Sequence, residues 1–94
     1  MSDITLGQIV HSRAGRDKGK YFVVLGIVNE EYVLIADGTL RKVLNPKKKK
    51  LKHLVIHDVL AENIKTKIIE KTALTDSELK KCLQSIVVDK FNLS

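Results

Sequence analysis

At His57 the spacing of apolar residues changes, and that change constrains the chain more than any other feature. Before it, β-branched and aromatic residues stand in short runs between Gly, Asn-Glu and Asp-Gly breakers, the pattern of strands and turns. After it, Leu60, Ile64 and Ile68 recur at every fourth position, the pattern of a helix. The expected fold class is therefore mainly β with an α tail (α+β). The 94 residues leave room for a single core of ordinary size.

Five strands are expected: Gln8 to Ser12, Tyr21 to Val28, Tyr32 to Asp37, Leu40 to Leu44 and Leu51 to Ile56. Glu30 and Glu31 mark a tight turn, and Asp37-Gly38 reads as a hairpin because both residues tolerate positive φ. Five short strands in sequence make an antiparallel meander, and a small closed or half-closed barrel is expected because closure removes exposed edges. A first helix is expected from about Val59 to Glu70 with Asp58 as its N-cap. A second follows Thr75, which with Glu78 forms a capping box ahead of the apolar stripe Leu79, Cys82, Leu83, Ile86 and Val87. The division expected is a barrel over 4–57 and a helical hairpin over 58–94. The hairpin is expected to dock on one side of the barrel or against a second copy.

Charge narrows the class of partner. Lys and Arg number 17 against 11 Asp and Glu, giving +6 and a pI near 9.6. Such a balance points to a polyanion. Two cationic clusters carry it. The first, "AGRDKGK" with its flanks, sets Arg13, Arg16, Lys18 and Lys20 around Gly15 and Gly19. The second comprises Arg41, Lys42, Lys47, Lys48, Lys49, Lys50 and Lys52. A residue without Cβ lets the backbone turn sharply and approach a phosphodiester while its neighbours reach outward. The plainer alternatives are a solvated turn for the first cluster, and for the second a solubilising run or an edge strand that lysines guard against pairing. His53 and His57, four apart on an alternating strand, share a face and are expected at the rim of the basic surface. A zinc site would need a third ligand.

The spacing Gly15-x-x-x-Gly19-Lys20 does not make a nucleotide-binding loop, which needs four residues between its glycines, a Ser or Thr after the lysine and a helix next. The stretch "GQIVHSRAGRDKGKYFVVLGIV" instead resembles a KOW motif, the short RNA- and protein-binding element of several ribosomal proteins and of NusG and Spt elongation factors. The matching positions are Ile9, Val10, Gly15, Lys18, Gly19, Lys20, Val23 and Val24, and Phe22 stands where many KOW motifs carry a third glycine. With "YVLIADGTLRKV" and "KHLVIH", residues 4–57 resemble the KOW-type large-subunit ribosomal proteins of archaea and eukaryotes. The resemblance implies a small SH3-like β-barrel (KOW type) whose first basic loop contacts structured RNA, in that subfamily ribosomal RNA.

Other functions lack an instrument. Asp17, Asp37, Asp58, Asp76 and Asp89 are scattered through turns and caps, so no convergent catalytic set is expected, nor any cofactor or metal site. Tyr21, Phe22, Tyr32 and Phe91 are too few for a base-stacking platform, which favours recognition of RNA by shape and phosphate. Cys82, alone and in a helical stripe, is expected to be a small buried hydrophobe in a reducing cytoplasm. No apolar run approaches the roughly 20 residues of a membrane span. The expectation is a non-enzymatic RNA-binding protein of the ribosome, its His53 and two basic clusters forming the site. The alternative is a protein-interaction adaptor or a transcription elongation-type KOW factor.

Overall fold

The computed structural model describes residues 4–92. Five strands, β1 (Gln8–Ser12), β2 (Tyr21–Ile27), β3 (Tyr32–Ala36), β4 (Lys47–Lys50) and β5 (Leu54–Leu60), precede two helices, α1 (Glu62–Glu70) and α2 (Asp76–Phe91). The strands form one antiparallel sheet in the order β4-β3-β2-β1-β5. A three-residue 3-10 turn, Leu51–His53, links the two edge strands β4 and β5. So short a link draws the two edges together at one end and curls the sheet.

Both faces of the sheet are buried, which is why β2 reads as a continuous apolar run rather than an alternation. On the inner face Val10, Phe22, Val24, Val33, Ile35 and Leu54 pack on one another. Strands β3 and β5, separated in the sheet by β2 and β1, thus share one cluster, as only a curled sheet permits. On the outer face Ile9, Val23 and Ala36 pack against Ala61, Ile64, Leu79 and Leu83 from the helical segment. Each fully buried Val, Ile or Phe contributes roughly 1.5–3 kcal/mol, and the helical segment supplies the layer that covers the outer face.

The sequence expectations hold for β1, and for β2 and β3 to within one residue. The turn at Glu30 and Glu31 is present, ordered by the Asn29 side chain, which accepts from Glu31 N and Tyr32 N. The capping box of α2 forms as read, with Thr75 accepting from Glu78 N and Glu78 reaching back to Thr75 N.

Three expectations are corrected. Leu40 to Leu44 is not a strand: Leu44 is 95% exposed, and the segment is a bend closed by a single bridge between Lys42 and Asn45. The Asp37-Gly38 turn folds onto itself instead, with Asp37 N and Gly38 N donating to Arg41 O. The fourth strand is the lysine run, since Ile35 to Tyr32 of β3 offer a free edge to Lys47 to Lys50. Finally, β5 begins only at Leu54 and runs through Asp58 to Leu60, so Asp58 is an exposed strand residue and not an N-cap. Helix α1 starts at Glu62 after an N-cap, Ala61, that offers no side-chain cap, and its entry is held by Ala61 N donating to Gly7 O at 2.7 Å. Among the described residues no ladder joins β4 to β5, so the sheet is curled and open rather than a hydrogen-bonded closed barrel.

Candidate nucleic-acid interface

The loop between β1 and β2 is tightly built. Gly19 N donates to Ser12 O at 2.7 Å, Ser12 N to Lys20 O, Lys18 N to Gly15 O and Lys20 N to Asp17 O. Ser12 Oγ donates to Ala14 O, and Arg13 N donates to His53 O at 2.9 Å. Gly15 and Gly19 both have positive φ, and a Cβ at Gly19 would meet nothing within 4 Å. The demand for glycine at 19 therefore comes from backbone conformation, and the space around it is open. Arg13, Arg16, Lys18 and Lys20 are all exposed.

The second cluster divides. Side chains opposite one another across a ladder share a face. Lys47 and Lys49 lie opposite Ile35 and Val33 on the inner side, while Lys48 and Lys50 lie opposite Leu34 and Tyr32 on the outer side. Lys49 Nζ accordingly reaches Ala14 O at 3.4 Å, in the first loop. Lys48 Nζ and Lys50 Nζ stand over the Tyr32 ring, 4.8 and 5.7 Å from its centroid. Four lysines adjacent in sequence thus face two ways. Their position on an edge strand also matches the guarding role.

Arg41 comes to the first loop as well. Its Nη2 and Nε donate to Asp17 Oδ2 at 2.9 and 3.2 Å, and the Asp17 side chain is only 4% exposed against 30% for Arg41. Arg13, Gly15, Arg16, Lys18, Gly19 and Lys20 are therefore brought together with Arg41 and Lys49. Lys42 and Lys52 are exposed on other turns, and Lys48 and Lys50 belong to the Tyr32 face. His53 lies in the 3-10 turn and joins the loop through its carbonyl, so it does not share an alternating strand with His57.

Sequence reasoning gave no place to Asp17, to Lys80 or to His11, the partner of His57. Asp17 is the lone acid among the cations of its loop, a signal readable in "GRDKG". Lys80 of α2 lines, with Gly19, Lys20 and Thr39, a cleft of about 320 Å³ beside the loop, which nothing in its local sequence marks. His57 pairs with His11, Nε2 to Nδ1 at 2.7 Å, and stacks with both His11 and Tyr21, while the His11 and Tyr21 rings are tilted to one another and Phe91 of α2 packs edge-on against His57. Burial, and secondarily the neighbouring His11, hold His57 below the ordinary histidine value. Cys82 packs at the margin of the outer core, and burial pushes its thiol up, away from nucleophilic use.

No protein-family model matches the chain, the KOW motif included. The chain is 31% identical over 71 residues to a protein of Bacillus subtilis (strain 168) named "Putative ribosome-binding protein YbzG". The match spans 76% of this chain and 96% of the relative. Coverage of nearly the whole relative at that identity means that the chain belongs to the YbzG family.

Proposed function

We propose that this protein binds the ribosome by contacting structured ribosomal RNA, with no catalytic step, in the cytoplasm. The observation that carries the reading is convergence. Lys49, from a cluster about thirty residues downstream, reaches into the Arg13–Lys20 loop, whose own four cations all face solvent. The name of the YbzG relative supports the ribosomal destination, and the KOW likeness of residues 4–57 supports RNA as the contacted surface. The glycines at 15 and 19 shape the loop, and the cations meet phosphates, which fix position and carry little sequence information. The five-stranded antiparallel sheet supports the SH3-like architecture that the KOW resemblance implies, although among the described residues no ladder closes it into a barrel.

Sedimentation with purified ribosomes, followed by crosslinking in cells and sequencing of the attached RNA, tests this. Retention that falls steeply with salt and a sharp crosslink peak in ribosomal RNA are expected. Retention that survives RNase and is insensitive to salt would replace this reading with a protein-interaction adaptor. The α1/α2 cleft of about 630 Å³, lined by Ala61, Ile64, Cys82 and Ile86, would then be the surface to examine.

A further inference from the structure

A buried acid under a cationic loop calls for a reason. Asp17 lowers the positive potential of the very surface that attracts a polyanion, and burying a carboxylate is costly unless it is paired. Asp17 is paired, through a two-bonded contact from Arg41 to its Oδ2. Its backbone carbonyl meanwhile accepts from Lys20 N, so the same residue closes the loop's last turn.

Arg41 is in turn held from behind. Its N donates to Asp37 Oδ1 at 2.9 Å and its carbonyl accepts from Asp37 N and Gly38 N. The turn bearing it is seated on α2: Val43 N donates to Asp76 Oδ1 at 2.7 Å, and a Cβ at Gly38 would stand 2.4 Å from Asp76 O. A continuous chain of contacts therefore runs from the first turn of α2 through Asp76, the 37–43 turn and Arg41 to Asp17 in the middle of the β1–β2 loop.

From this chain we infer that the Asp17–Arg41 pair is a positioning device for the RNA interface: it anchors the loop to the turn seated on α2 so that Arg13, Arg16, Lys18 and Lys20 project together. The inference rests on the RNA-binding reading. Arg41 then serves the interface by holding Asp17, and the charge offered to phosphates comes from the four exposed cations and Lys49. Simple electrostatics predicts the opposite sign, because removing an acid from a basic surface strengthens attraction to a polyanion.

The test measures binding of the full chain to protein-free, refolded ribosomal RNA at several salt concentrations. The variants are Asp17→Asn, Arg41→Lys and a control, Glu70→Gln, which removes an exposed acid at the end of α1. Asp17→Asn and the control each raise the formal charge of +6 by one. Expected are a loss of about five- to tenfold in affinity for Asp17→Asn, with a shallower dependence of log K on log salt because fewer phosphates are met together, and no loss for the control. Arg41→Lys keeps the charge but loses the planar fork, and is expected to lose about threefold. Asp17→Asn binding as tightly as the control, with the wild-type salt slope, overturns the inference. Should circular dichroism show Asp17→Asn unfolded, Arg41→Lys decides, and wild-type affinity for it overturns the inference equally. Failure of the RNA-binding reading looks different: the unmodified, folded protein shows no salt-dependent binding at all.

Discussion

The loop over 13–20 and the turn over 37–46 are made of the same materials, an aspartate, a glycine at positive φ and flanking cations, and they end in opposite situations. Around Gly19 a side chain would find open space, whereas a Cβ at Gly38 would collide with the backbone of α2 at Asp76 and Lys80. One loop is left open to solvent; the other is consumed by packing. The difference lies in whether a helix end lands on the turn, since the local chemistry of Asp, Gly and Lys or Arg is alike in both. Sequence composition therefore identifies turns of this kind without saying which of them faces out.

The largest expected effect tests the packed member of the pair. Gly38→Ala forces both an unfavourable φ and a backbone clash, and is expected to cost about 3 kcal/mol or more, read as a lowered midpoint in urea. A cost below about 1 kcal/mol would show that α2 yields easily and that the two loops differ little. Next comes the charge that joins the clusters. Reversing Lys47 and Lys49 to Glu is expected to weaken binding to refolded ribosomal RNA by about 10- to 100-fold, against a smaller loss for Lys48 and Lys50, which face Tyr32. Equal losses from both pairs would mean that the two faces of β4 act as one surface.

Gly19→Ala sharpens the open side of the comparison. With no clash to add, only the left-handed backbone opposes the substitution, and about 1–2 kcal/mol of stability is expected to be lost. The smallest effect concerns the histidine pair. In the unfolded chain His57 titrates near the ordinary 6.5, and in the fold its value is lower. The unfolded state thus binds more protons as pH falls below 6.5, and stability declines from there until the folded-state value is passed. Thermal midpoints at pH 7.5 and 5.5 are expected to differ by less in His57→Gln than in the unmodified protein.

Where the sequence was legible, the signal was local. The β-branched runs at Gln8–Ser12 and Tyr21–Ile27, and the Thr75–Glu78 box, specify their elements through contacts within a few residues. Where it failed, a distant partner decided. Leu40 to Leu44 carries strand-like residues but bends around Arg41, while "KKKK" pairs with β3 because that edge is free and lysine stems tolerate a half-buried ladder. Asp58 looks like a helix cap, yet β1 extends the ladder past it to Leu60. Within the candidate site, the cations and glycines of the first loop were readable as a cluster. The reach of Lys49, the burial of Asp17 and the approach of Lys80 were not, because each depends on which strand or helix lies alongside.

By itself, then, the sequence determined the elements whose stabilising contacts lie close along the chain, together with a net basic surface, since a net charge of +6 carried on side chains that resist burial must lie outside in any fold. Only the tertiary structure decided which cations meet, which glycine stays open and which acid goes under the loop. Those outcomes depend on pairing between segments about thirty residues apart, whose energies come from burial and geometry that no local pattern encodes.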